Sequence, residues 1–137
     1  MIESVDVNVK MHAAQSMGTQ KDEQDRMLPG KWYERDGVQI VKYRDNESDT
    51  VDTLEISSRR VRLKRSGAIR SEMEFAAGES HIFEMETDPG TFSFLVRTAR
   101  VAVGIYGDRL TVELAYDLYA DGSLLSHNHV GYDISYA

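Results

Sequence analysis

Four histidines, sixteen basic and twenty-three acidic residues, and no cysteine define the chemistry open to this 137-residue chain. Without cysteine there is no thiolate nucleophile, no disulfide and no cysteine-based zinc site. His127 and His129 form a His-x-His pair, a spacing that puts both imidazoles on one strand face and could chelate zinc or copper. A third ligand is not evident; His12 and Asp133 are unplaced, and no metal or other cofactor is assigned. The pairs Glu72/Glu74 and Glu84/Glu86 look like the twin carboxylates of a glycosidase. No Gly-x-Ser-x-Gly elbow accompanies the serines, so no Ser/His/Asp grouping is singled out by the sequence.

Which of these groups could work together depends on the elements that carry them. From Ala68 to Phe75 the residues alternate strictly: Ile69, Ser71, Met73 and Phe75 on one parity, Ala68, Arg70, Glu72 and Glu74 on the other. Successive side chains of a strand leave on opposite faces, so this is a half-buried β-strand. Similar segments recur at Val5 to Met11, Val38 to Ile40, Leu54 to Ile56, Val61 to Leu63, Phe83 to Met85, Phe92 to Val96, Val101 to Ile105 and Leu110 to Leu118. Turn residues separate them, among them Asp36-Gly37, Gly78, Pro89-Gly90, Gly107-Asp108 and Asp121-Gly122. Many short strands with such punctuation predict an all-β antiparallel sandwich or barrel, with a strand count uncertain by about one. The connection through Ser66-Gly67 fits either a hairpin loop or one long strand bent at Gly67.

Hairpin arithmetic tests the faces. A loop at Gly107-Asp108 pairs Ile105 with Leu110, Val103 with Val112 and Val101 with Leu114. A tip at Pro89-Gly90 pairs Thr87 with Phe92, Met85 with Phe94, Phe83 with Val96 and His81 with Thr98. On this parity both glutamate pairs point to solvent beside Arg70 and Arg97, and the inward polar residues are Arg65, Ser71, His81, Thr98 and Tyr116. An unpartnered buried polar group costs about 1–3 kcal/mol, which makes these five the ligand-binding candidates. Arg65 could hold an anionic head group while the apolar wall takes a tail. The structural alternative places the Arg65 guanidinium in solvent at a barrel end, with His81 and Thr98 as a satisfied internal pair. For His127 and His129 two rules disagree. A two-residue turn at Asp121-Gly122 sends them inward; burial of Val130, Tyr132 and Ile134 sends them outward. The apolar burial outweighs the turn preference, so they face outward, with a bulge or longer loop absorbing the difference.

Only 15–30 breaks the rhythm, and it reads as a long, partly mobile connection within a single domain over 1–137. The formal net charge of −7 and a pI near 5.0 argue against a nucleic-acid partner, although Arg59, Arg60, Arg62, Lys64 and Arg65 form one basic run. No apolar stretch is long enough to span a bilayer, and the acidic start does not suit a signal peptide, so the expected location is cytoplasmic with no membrane partner.

The order of Val-Lys-Tyr-Arg-Asp at 41–45, Asp-Thr-Leu-Glu-Ile at 52–56, Val-Arg-Leu-Lys-Arg-Ser-Gly at 61–67, Glu-Met-Glu-Phe at 72–75, Met-Glu-Thr-Asp-Pro-Gly-Thr at 85–91, Val-Arg-Thr at 96–98 and Tyr-Asp-Leu at 116–118 resembles the YwiB-like family. That resemblance implies a small bacterial calycin/lipocalin-like up-and-down barrel of about 8–10 strands and of unknown function. The turn Asp88-Pro89-Gly90 departs from it in lacking an aromatic between Pro and Gly, and Trp32 stands where the family tends to a tyrosine-like residue. Because the inward list is rich in Phe75, Phe83, Phe92, Phe94, Met73 and Met85, any cavity should be narrow or sit at one mouth. The expected function is non-catalytic binding of a small apolar or amphipathic molecule there. A protein-interaction module is the alternative, with an exposed patch around Ile82 and Leu95 as its sign. An enzyme with His81 as general base ranks last, since no base–nucleophile pair can be positioned.

Overall fold

The computed structural model describes residues 3–137. Ten strands follow in chain order: β1 (Val5–Met17), β2 (Gln20–Arg35), β3 (Val38–Asp45), β4 (Thr50–Ile56), β5 (Arg60–Gly67), β6 (Arg70–Ala76), β7 (Ser80–Thr87), β8 (Gly90–Ile105), β9 (Arg109–Ala120) and β10 (Ser123–Tyr136). Each pairs antiparallel with its sequence neighbour, and β1 closes the sheet by pairing with β10. The result is an up-and-down barrel with no helix among the described residues. No helix is long and apolar enough to cross a membrane.

Up-and-down order puts alternate hairpins at opposite ends. The β1–β2, β3–β4, β5–β6, β7–β8 and β9–β10 turns lie at one end; the β2–β3, β4–β5, β6–β7 and β8–β9 turns lie at the other. Apolar packing is densest toward the second end, where Val7, Val9, Val41, Leu54, Ile56, Val61, Phe75, Val112 and Ile134 are all sealed from solvent. Burying one such aliphatic or aromatic side chain stabilises by about 1.5–3 kcal/mol, so this plug is what holds the barrel shut. Gly30 makes one close approach workable: a Cβ there would sit 2.7 Å from the Lys42 carbonyl oxygen and 3.1 Å from Val9. Its bare backbone lets Tyr43, its partner on β3, turn inward to 3% exposure.

The even-odd faces hold. Phe83 and Val112 are buried and Phe94 packs on the core, while Ile105 pairs with Leu110 as expected but ends its strand more than half exposed. Arg60, Arg62 and Lys64 of the basic run are neutralised by Glu55, Glu72, Glu74 and Glu79 on adjacent strands and in the following turn. The chain from Leu63 to Ile69 forms a hairpin, with Arg65 paired to Ser71, and not one bent strand.

Two expectations are corrected. The segment 15–30 is not a connection: β1 runs to Met17, and β2 begins at Gln20 and pairs with β1 along its length. Its pattern misleads because β2 meets β3 only from Gly30 onward, so its first half has one neighbour and little to bury. Pro29, which has no N–H to donate, sits where β2 parts from β3. At the β7–β8 hairpin the loop is Asp88-Pro89, with Thr87 paired to Gly90; every partner moves by two residues and every face stays. Met85 therefore meets Phe92, Phe83 meets Phe94, and His81 meets Val96 instead of Thr98, while Phe92 is left half exposed near the tip. A bulge at Ala99 separately shifts β8 against β9 and pairs Thr98 with Tyr116.

Candidate functional site

The end opposite the plug is hollow. A cavity of about 290 Å³ runs inward between Leu63, Met73, Phe83, Met85, Leu118 and Val130, with Arg26, Arg65, Ser71, Tyr116, Asn128 and Tyr132 among its polar lining. It exists because the inward residues thin out toward this mouth, from branched aliphatics to Ala13, Gln15, Gln24 and Ser71. Its size is near the lower bound for small-molecule sites, and equals the liquid volume of about ten waters.

Arg65 is the group that stands out. Parity along β5 turns it inward after Val61 and Leu63, and its side chain is 28% exposed. Its Nε lies 3.5 Å from Oδ2 of Asp52, its cross-strand partner, without a hydrogen bond. Among the described residues no acceptor takes any N–H of its guanidinium. Ser71, directly across the β5–β6 ladder, also carries a buried hydroxyl with no partner. Asp52 is fully buried, and one of its oxygens accepts from Thr50 at 2.8 Å. Burial pushes its carboxyl above the usual range, with the Arg65 charge opposing.

A second pair closes one side of the mouth. Arg26 from β2 donates two bonds to Asp45 at the end of β3, at 2.9 and 2.6 Å, with side chains 16% and 5% exposed. Asp45 also accepts from the backbone N–H of Glu47 and Ser48, which shapes the β3–β4 turn. The Arg26 hydrogen bonds hold the Asp45 carboxyl well below its ordinary value. Tyr43 and Tyr132 lie behind these groups, and burial raises both phenols. Arg26, Asp45 and Asp52 escaped the sequence reading. The available signal was parity, since Arg26 shares a face with Leu28 and Trp32, Asp45 with Val41 and Tyr43, and Asp52 with Leu54 and Ile56.

Of the five sequence candidates the fold brings three together: Arg65, Ser71 and Tyr116 all line the cavity. Tyr116 packs against Phe75 with ring centroids 4.7 Å apart and ring planes tilted by 52°, so it marks the boundary between hollow and plug; burial pushes its phenol up. His81 and Thr98 lie toward the other end, near the β6–β7 turn, whose Gly78 and Glu79 bond the Thr98 backbone. The expected bond between them does not form: Thr98 Oγ1 and His81 Nε2 are both unpartnered. The His81 ring instead faces Glu74 at 3.6 Å and Glu79 at 3.3 Å.

His127 and His129 face outward. The Asp121-Gly122 turn is indeed two residues long, and a bulge at Leu125 reverses the parity beyond it, so Val130, Tyr132 and Ile134 turn inward. His127 Nδ1 bonds Asp117 at 2.6 Å and His12 Nδ1 bonds Asp25 at 2.5 Å. Asp133 is held by Arg109, not by a histidine. No group of three metal-ligating side chains forms among the described residues. These histidines border open hollows of about 670 and 660 Å³ on the outer wall, where Ala14, Ala115 and Gly131 leave the sheet bare. They are wider than the inner cavity, but they are more open and lack its arginine, which lies near a carboxylate without hydrogen-bonding it.

A closed antiparallel barrel, plugged at one end and hollow at the other, is the architecture of calycin/lipocalin-like proteins. Residues 9–131 match the family described as domain of unknown function (DUF1934), and the chain belongs to that family. The crystal structure of the ywiB protein from Bacillus subtilis superposes with a TM-score of 0.90, covering 99% of this chain and 95% of that one at 13% identity. At that identity the likeness concerns the fold. No curated protein matches the chain.

Proposed function

We propose that the protein is a non-catalytic carrier or sensor of a small amphipathic anion, bound at the open mouth with its head group on Arg65 and its tail pointing into the barrel. The observation that carries this reading is the Arg65 side chain, 28% exposed on the wall of the mouth cavity, with its Nε buried and without a hydrogen-bond partner among the described residues. A planar fork of N–H donors matches a carboxylate or phosphate, and the unpartnered Ser71 hydroxyl beside it supplies a further donor. Leu63, Met73, Phe83 and Met85 then form the apolar wall for a short tail. A volume of about 290 Å³ suits a compact molecule and not a long lipid chain.

Native mass spectrometry of protein purified from its host, followed by calorimetric titration with octanoate and with 1-octanol, tests the reading. The expected result is a bound small molecule, octanoate preferred over the alcohol, and affinity for octanoate at least about tenfold weaker in Arg65→Ala, the loss of one charge-assisted hydrogen bond. A clean apo mass together with octanoate binding that is absent, or equal in wild type and Arg65→Ala, refutes it.

A further inference from the structure

Tyr43, Asp52, Arg65 and Ser71 pair in one inward row across β3, β4, β5 and β6, and each has a buried side-chain atom without a partner. Native interiors rarely leave neighbouring polar groups unsatisfied, so a row of them points to a group that completes it. Arg65 and Ser71 line the cavity, while Tyr43 and Asp52, 3% and 0% exposed, lie behind that lining.

The charges at this end cancel. Arg26 and Arg65 are the charged side chains on the cavity lining, and Asp45 and Asp52 stand against them. Glu47, 3.8 Å from Arg26, is 65% exposed and screened by water. An anionic head group therefore arrives as a surplus negative charge in a desolvated site, a costly state that is relieved when a carboxylate takes up a proton. The two carboxylates are unequally placed to do so. Asp45 accepts two hydrogen bonds from Arg26 and two from backbone N–H groups. Asp52 accepts one, from Thr50, and its Oδ2 is unpartnered 3.5 Å from Arg65 Nε. Around it stand Tyr43 and Asp45 on β3, Thr50 on its own strand, Arg65 on β5 and Tyr132 on β10. Burial already pushes its carboxyl up, and the Arg65 charge is the largest opposing influence. An anion on Arg65 cancels that opposition. Directly across the ladder, the unpartnered Tyr43 hydroxyl can accept from the protonated carboxyl.

We infer that the mouth takes its ligand together with a proton: a monoanionic head group binds Arg65, one proton passes from solvent to Asp52 Oδ2, and Asp52 thereby sets the charge of the ligand the site accepts. A dianion would leave one negative charge uncompensated. The inference rests on the anion site proposed above and specifies its ligand.

Calorimetric titration of the full chain with octanoate, in buffers of high and of low ionisation enthalpy, counts the protons exchanged on binding. Asp52 holds its proton more tightly in the complex than in the free protein, so affinity rises as pH falls. The expected result is net proton uptake near neutral pH and an octanoate dissociation constant at least about tenfold smaller at about pH 6 than at about pH 8, a range in which octanoate stays ionised. Asp52→Asn, which keeps the shape of the protonated carboxyl, abolishes the uptake and the pH dependence, with circular dichroism as the check on its folding. The wild-type proton count decides even where that variant fails to fold. At about pH 8, octanesulfonate binds at least about tenfold more tightly than octyl phosphate, whose similar tetrahedral head carries close to two charges. Octanoate that binds through Arg65 without proton uptake, uptake that survives in Asp52→Asn, or octyl phosphate held as tightly as the sulfonate overturns this inference and leaves the anion site standing. Absence of octanoate binding, or binding indifferent to Arg65→Ala, removes the anion site and this inference with it.

Discussion

Replacing Asp45 by Asn tests whether the mouth is held open by charge. Asp45 is nearly sealed from solvent, takes two hydrogen bonds from Arg26 and caps the β3–β4 turn through two backbone N–H groups. Removing one partner of a buried ion pair costs about 3–5 kcal/mol, because the other charge is left desolvated and unmatched. Arg26 has a fallback in Glu47, 3.8 Å away and 65% exposed, so the expected loss lies at the lower bound, about 3 kcal/mol. Urea unfolding of both proteins at pH 7 measures it. The pH dependence gives a second readout. The folded-state pKa of Asp45 is depressed below its unfolded value of 3.8, so the folded state holds the proton more weakly than the unfolded chain. The pair's contribution is complete well above 3.8 and fades as pH falls through and below that value, and the gap between wild type and Asp45→Asn should narrow with it. A difference under about 0.5 kcal/mol at neutral pH, the range of an ordinary surface substitution, refutes the assignment. So does a gap that stays constant down to the acid transition.

Other consequences follow from particular contacts. Gly30→Ala drives a Cβ to within 2.7 Å of the Lys42 carbonyl oxygen and should destabilise by about 1–3 kcal/mol by thermal or urea unfolding, with an unchanged melting point counting against the close packing of β2 on β3. Phe75→Ala, which removes the fully buried ring beneath Tyr116, should cost about 3–5 kcal/mol and deepen the cavity toward the plug. His12 should titrate above 6.5 by NMR because Asp25 accepts its Nδ1–H, and Asp25→Asn should return it toward that value; no change in the variant would show that the pair does not persist in solution.

The barrel was legible because most strands bury one face, and a buried face imposes alternation that survives errors of register. At the β7–β8 hairpin the pairing differs by two residues from the turn-based expectation, yet Phe83, Met85 and Phe94 keep their side of the sheet, since a shift of two is invisible to parity. A shift of one is not invisible, and the conflict between the Asp121-Gly122 turn and the face of Tyr132 and Ile134 correctly demanded the bulge found at Leu125. Residues 15–30 were illegible for the converse reason. A strand half with one neighbour and both faces wet carries no apolar rhythm, and its polar composition imitates a loop.

The candidate site was half legible on the same grounds. Arg65, Ser71 and Tyr116 interrupt apolar runs and so announce themselves as polar groups on an inward face. Asp45 and Asp52 also lie on inward parities, but near strand ends, where polar residues are expected to reach solvent, and Arg26 lies in the polar half of β2 that reads as a loop. The barrel's stagger decides otherwise: β2 continues past the end of β3, and this overhang covers Asp45 with Arg26. One carboxylate at the mouth is thus fully matched, while the other, Asp52, lies 3.5 Å from an arginine it does not bond. A barrel mouth that served stability alone would gain by satisfying both arginines in the same way. The unequal pairing leaves Arg65 as the cation with donors to spare, and it is this asymmetry that makes an anionic head group the ligand to test first.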